Sequence, residues 1–151
     1  MITNPKLKDK WLIYEIGMRN TLERLTSLNK KVVFVIDVPE LGFGPRFCHI
    51  NNSSLFIFGR SFKFRYGKED CFVSREDFDD RNDRYREMIY RILKDYPTIA
   101  LFDPTEIFCD DRKCHAIKNG KVLYMDFDHL SIDGSELVAK NLIPIIRETL
   151  R

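Results

Sequence analysis

No run in this 151-residue sequence approaches the roughly 18 consecutive apolar residues of a membrane-crossing helix, so no span is expected within it. Met1 to Lys10 has basic residues but no apolar stretch behind them, so neither a secretory signal nor a transit peptide is expected there. An excess of one charge is lacking too. Lys and Arg number 25 against 23 Asp and Glu, and the net charge of +2 is too small to draw nucleic acid or an anionic membrane by long-range attraction. Internal repeats and low-complexity linkers are absent. What is present, 44% hydrophobic residues and 13% aromatics, suffices for one sizeable core in one compact domain.

From Trp11 to Leu28, apolar residues at Tyr14, Met18, Leu22, Leu25 and Leu28 follow the spacing of an amphipathic helix that ends at Asn29. Val32 to Ile36 is an uninterrupted, mostly β-branched run, the pattern of a strand buried on both faces of a parallel sheet. Gly42 to Ser54 has loop composition. Leu55 to Tyr66 predicts a hairpin turning near Gly59 and Arg60, inside an insertion over about residues 42–73. Ser74 to Asp77 is a capping box opening a helix whose stripe is Tyr85, Met88, Ile89, Ile92 and Leu93 and which stops before Pro97. Ile99 to Phe102 is a second buried strand. Each of the two strands runs into an aspartate and a proline, Asp37 with Pro39 and Asp103 with Pro104. Asn119-Gly120 marks a tight hairpin, and Ser135 to Leu150 a last helix with Leu137, Val138, Leu142, Ile145 and Ile146 near one face and a bend at Pro144.

Alternation of buried strands with amphipathic helices predicts an α/β domain with a parallel sheet. Two strands are few for a free-standing parallel sheet, so the chain is expected to be part of a larger domain.

Of three histidines, His129 has the most purposeful context: Asp126-Phe127-Asp128-His129-Leu130-Ser131, with Gly134 and a helix following. An aspartate three residues before a histidine can set its carboxylate against the imidazole, fix the tautomer and leave the other ring nitrogen to face a nucleophile. On spacing alone, a turn-capping aspartate and a satisfied histidine account for the pair at least as well.

The wider order of motifs adds to this. Val32 to Glu40, Cys48, Cys71, Ala100-Leu101-Phe102-Asp103-Pro104, Ile107-Phe108-Cys109, Cys114, Gly120 to Tyr124, Asp126, Asp128-His129-Leu130-Ser131 and Gly134-Ser135 occur in one sequence. In that order they resemble the SGNH hydrolase-like domain of bacterial integral-membrane acyltransferases that modify cell-surface sugars. The resemblance implies a flavodoxin-like, three-layer α/β fold of about five parallel strands, of which this chain would hold the C-terminal part. It implies Asp126 as the orienting carboxylate and His129 as the base, with Asp128 adding only local polarity. It also implies a periplasmic or extracytoplasmic place, an upstream membrane acyltransferase domain, a glycan acceptor with an acyl donor as partners, and no cofactor. The family's Gly-Asp-Ser, glycine and asparagine blocks have no counterpart here. Ser27, Ser53, Ser54, Ser61, Ser74, Ser131 and Ser135 stand in other contexts, and Ser131 suits a helix cap. No nucleophile is expected in this chain, which alone should be inactive, since these groups act as a unit.

Cys48, Cys71, Cys109 and Cys114 are an even set with short spacing in the second pair, which favours disulfides and an oxidising compartment; reduced thiols are the open alternative. Cys109 and Cys114 would staple a polar surface loop, and Cys48 with Cys71 would close the insertion. Two further readings stand beside the enzyme. One is a non-catalytic relic that binds glycan or protein. The other is a small metal-binding domain using Cys109, Cys114, His115 and Cys48 or His49, although C-x4-C lacks a second paired half. Arg60, Lys63 and Arg65 among Phe58, Phe62, Phe64 and Tyr66 suit a half-solvated hairpin better than a nucleic-acid strip.

Overall fold

The computed structural model describes residues 9–45, 48, 54–57, 60–63 and 71–151. Along the chain these form α1 (Lys10–Ser27), β1 (Val33–Val35), β2 (Ser54–Ile57), β3 (Arg60–Lys63), β4 (Phe72–Ser74) and α2 (Arg75–Leu93). Then come β5 (Ala100–Phe102), α3 (Thr105–Phe108), β6 (Lys113–His115), β7 (Ile117–Lys118), β8 (Lys121–Val122) and α4 (Ile132–Thr149).

The helix ends follow from local chemistry. Asp9 caps α1 by accepting from the Trp11 N–H at 2.9 Å. Asn29, at φ 51°, closes it: the Asn29 N–H reaches Thr26 O and the Lys30 N–H reaches Leu25 O, so carbonyls of the last turn are satisfied. The capping box at α2 is present, with Ser74 Oγ accepting from the Asp77 N–H at 3.1 Å. The hairpin between β7 and β8 has both turn residues at positive φ, Asn119 at 52° and Gly120 at 75°, as an Asn-Gly turn requires.

β1 and β5 pair in parallel, Val33 with Ala100, Phe34 with Leu101 and Val35 with Phe102. Alternation sends Val32, Phe34, Ile36 and Leu101 to one face, where they pack with Leu22 of α1 and with Met88, Ile89 and Ile92 of α2. α4 packs on β1 and β5, giving helices on both sides of the strands and an α/β fold. Full burial of β1 is not what is found: Val35 is 43% exposed, and the edge of β1 away from β5 is unpaired among the described residues. On α4, likewise, Ile143 and Ile146 are exposed although the periodicity predicted an inward stripe at Ile146.

A second core lies beyond the carboxyl ends of these strands. Phe108, Cys114, Ala116, Leu123 and Tyr124 fill it, with Leu41 and Phe78 closing it from the β1 and α2 sides. The β4–β6 ladder that walls it was not expected from the sequence, since three-residue strands leave no measurable period. Within the insertion, β2 and β3 pair antiparallel from Ser54–Lys63 to Ile57–Arg60. The expected turn position Gly59, with Phe58, Phe64, Arg65 and Tyr66, lies outside the described residues, as do Ser53 and His49.

Both disulfides form, Cys48 to Cys71 and Cys109 to Cys114. The second is a staple, but its sulfurs belong to the core while Asp110 to Arg112 are exposed between them. The cysteine-based zinc site is thereby overturned: each sulfur is bonded to another and no thiolate is left to ligate. Cys48–Cys71 joins residues 23 apart. Loop-closure entropy for such a span makes the Cys48→Ser/Cys71→Ser variant less stable by about 3 kcal/mol, to be read as a lower urea midpoint with a somewhat steeper slope as the unfolded chain expands.

Candidate functional site

The segment Tyr124 to Leu130 leaves β8 and closes on itself. Tyr124 and Leu130 form an antiparallel bridge, Met125 N donates to His129 O at 2.8 Å, and Ser131 N donates to Leu123 O at 2.9 Å. At the neck, α4 begins three residues earlier than its periodicity predicted. Ser131 is its cap, accepting from the Gly134 N–H at 3.1 Å and donating to Val122 O at 2.6 Å, so the serine next to His129 serves structure.

Asp126 organises the interior of the loop. Its Oδ1 accepts the Asp128 N–H at 3.2 Å and the His129 N–H at 2.8 Å, and His129 Nδ1 lies 3.0 Å from both carboxylate oxygens. The turn-capping and imidazole-orienting roles that the sequence left as rivals belong to the same carboxylate. Carboxylates only accept, so Nδ1 carries a proton and donates, which leaves Nε2 as the basic nitrogen. No partner meets Nε2 among the described residues, and the His129 side chain is 70% exposed.

Asp128 does more than the local polarity expected of it. Its Oδ1 is 3.0 Å from the same Nδ1, so the imidazole is held between two carboxylates. The electrostatics follow. Backbone N–H donors from His129 and then Asp128 hold Asp126 at about 2, well below the usual carboxylate range. The hydrogen bond that Nδ1–H donates to Asp126, then the charges of Asp126 and Asp128, push His129 above its ordinary 6.5, and Asp37 adds to the same direction. The raised His129 contributes stability that is full below about 6.5 and is lost as pH rises through its folded-state pKa. NMR titration of the imidazole should find that midpoint above 6.5, and Asp126→Asn should bring it down.

Asp37 is the residue that motif reading passed over. It ends β1 at the carboxyl edge of the sheet, which is where ligands enter open α/β folds and was the available signal. The turn after it is tied to the histidine loop, Leu41 N donating to Phe127 O at 2.9 Å. Beneath sits Tyr124, 2% exposed, with its ring 5.4 Å from that of Phe108. Its hydroxyl has no hydrogen-bond partner among the described residues, and burial followed by the Asp37 charge raises its pKa, keeping it neutral.

Among the serines whose side chains are described, Ser27 Oγ donates to Arg24 O, Ser74 caps α2, Ser131 caps α4 and Ser135 lies in the first turn of α4, so none of these is poised as a nucleophile. Among the described residues, Asp126, Asp128 and His129 are the one cluster that could offer a metal three ligand atoms, within 4.8 Å of one another. Those atoms already satisfy one another, so the cluster needs no ion to hold its shape.

The arrangement can orient an imidazole, stabilise its protonated form and present Nε2 to an incoming hydroxyl. A family model described as the SGNH domain (fused to AT3 domains) matches residues 4–144. No curated protein and no solved structure matches the chain.

Proposed function

The chain belongs to the SGNH domains fused to AT3 domains, an acyl-transfer family, and we propose that it is the C-terminal part of one such domain, with Asp126 and His129 as the acid–base half of its site. The observation that carries the proposal is the Nδ1 contact with Asp126 in a loop that leaves Nε2 facing outward. A serine supplied by a preceding segment would give its proton to Nε2 as it attacks the acyl carbon. His129, protonated and held by two carboxylates, would return that proton to the leaving group. Glycine and asparagine donors from the same segment would stabilise the oxyanion.

The complete domain in this reading is a flavodoxin-like sheet of about five parallel strands. The open edge of β1, exposed Val35 and the exposed Ile143 and Ile146 of α4 support it, because further strands and a helix would cover that surface. The acceptor is a cell-surface glycan, a polysaccharide or lipopolysaccharide, and the acyl group an acetyl delivered by an upstream membrane domain. No described helix is long and apolar enough to cross a membrane, so the tether would be that domain. Two disulfides support a periplasmic or extracytoplasmic setting.

The test at hand is p-nitrophenyl acetate hydrolysis. The 151-residue chain should show no turnover above its His129→Ala variant. Turnover abolished by changing one of its own serines would place the nucleophile inside the chain and end this reading. A second reading, a non-catalytic relic that binds glycan or protein, is favoured by one observation, the absence of any Gly-Asp-Ser in the sequence. The reading frame upstream of Met1 separates the two: membrane spans and an in-frame Gly-Asp-Ser support the enzyme.

A further inference from the structure

A groove of about 510 Å³ opens at the carboxyl end of β1, between the first turn of α1 and the first half of α2. Its volume falls within the range of roughly 300–1,000 Å³ usual for small-molecule sites. Three aromatic rings line it: Trp11 and Tyr14 from α1 and Tyr85 from α2, the two tyrosines meeting edge to face at 6.3 Å. Arg84 lies over the Trp11 ring at 4.8 Å and Lys10 Nζ at 5.6 Å, and Trp11 and Tyr85 are held in place by packing against the core around Leu22, Ile89 and Ile92.

The polar lining is mixed and balanced. Asp37 and Glu40 are matched by Lys10 and Arg81, so the groove carries no net charge to select an ion. Asn82 Nδ2 donates to Phe78 O at 2.8 Å, and its Oδ1 meets no donor among the described residues. Asp37 spends one oxygen on the Val38 N–H at 2.8 Å and keeps the other. Arg81 is braced on Asp77 O at 2.9 Å and Glu40 O at 3.2 Å, which fixes its position at the rim. Flat apolar faces beside fixed donors and acceptors of both kinds suit a neutral ring that is apolar on its faces and hydroxylated at its edge. Asp37 links the groove to the candidate site, because the turn it opens is hydrogen-bonded to the His129 loop through Leu41 and Phe127.

We propose that this groove is a pyranose subsite, in which a sugar ring of the acceptor stacks on Trp11 and Tyr85 while its hydroxyls bond to Asp37, Asn82 and Arg81. The inference rests on the acyl-transfer reading for its biological meaning. The binding itself does not require catalysis.

Trp11 is the only tryptophan in the sequence, so its fluorescence reports the groove directly. The probes are maltotriose, chitotriose and xylotriose, titrated into the 151-residue chain, with choline chloride as the competing chemistry. At least one trisaccharide should change Trp11 emission saturably, with a Kd on the order of 1 mM. Tyr85→Ala and Asp37→Asn should each weaken it about tenfold or more. Trp11→Phe, followed by calorimetry, should weaken it less, since a smaller ring still stacks, and His129→Ala should leave it within about twofold. No saturable change with any trisaccharide, a response indifferent to Tyr85→Ala, or choline binding in place of sugar would each overturn the subsite. Because the sugars carry no acyl donor, a failed titration counts against the groove alone and leaves the His129 chemistry standing.

Discussion

Gly134→Ala should destabilise this chain by about 3 kcal/mol or more, although it places the best helix former inside a helix. A Cβ at this position would fall 2.1 Å from Leu123 O and 3.0 Å from Leu123 C, with Leu130 Cδ2 at 3.2 Å. The nearest of these is a backbone oxygen that cannot step aside, since it accepts the Ser131 N–H, while Ser131 Oγ is bonded to Val122 O next to it. Relief would have to come from lifting α4 off β8, which would unseat its cap and the neck of the His129 loop together. Gly17→Ala is the matched control. Gly17 is also helical, nothing lies within 4 Å of its Cβ position, and the same substitution there should stabilise by about 0.5–1 kcal/mol. Urea unfolding of the two variants should give shifts of opposite sign; a Gly134→Ala variant as stable as the parent would mean that the close approach of α4 is wrong.

In the domain completed by the family's Gly-Asp-Ser, glycine and asparagine blocks, His129→Ala should lower acyl transfer by about 10⁴-fold or more, because the attacking hydroxyl loses its proton acceptor. Asp126→Asn should cost nearly as much. It keeps the shape of the turn but replaces an acceptor that holds Nδ1–H by an amide that can equally donate, so the wrong tautomer becomes accessible. Asp128→Asn should cost far less, about tenfold, since Asp126 still holds Nδ1 with both oxygens. The pH profile carries the same signature. Nε2 must be unprotonated to act as base, and both carboxylates favour the imidazolium, so the acidic limb should rise with a midpoint above 6.5 and move down in Asp126→Asn. Equal losses at Asp126 and Asp128 would show that overall negative charge matters more than orientation.

Much of the architecture was legible because its signals are local. Ser74 and Asp77 sit at capping-box spacing, Asn119-Gly120 is the residue pair that positive φ selects, and the apolar runs at 32–36 and 99–102 have few other uses in a chain this polar. What was not legible depends on what lies across from a residue. Val35 and Ile146 look buried in sequence and are exposed, and the edge of β1 away from β5 is unpaired among the described residues. The β4–β6 ladder is a long-range pairing of three-residue strands with no pattern of its own. α4 starts at Ile132 because Ser131 caps it, a role its sequence context suits, whereas the need for glycine at 134 comes from Leu123 O lying across from it.

The candidate site divides the same way. The contact between Asp126 and His129 follows from a three-residue turn and was readable, whereas Asp128 and Asp37 reach the imidazole through space. The cysteine pairs were suggested by count and spacing, but the burial of Cys109 and Cys114 depends on the core around Phe108 and Tyr124, which no spacing reports.

The proposed role of Asp126 and His129 is half of an acyl-transfer site whose nucleophile comes from another segment. It is tested most directly by p-nitrophenyl acetate hydrolysis on the chain alone and on the chain extended at its N-terminus by the family's three missing blocks. Turnover should appear only in the extended protein and vanish on His129→Ala. Turnover by the chain alone that depends on one of its own serines, or turnover by the extended protein that ignores His129, would contradict it.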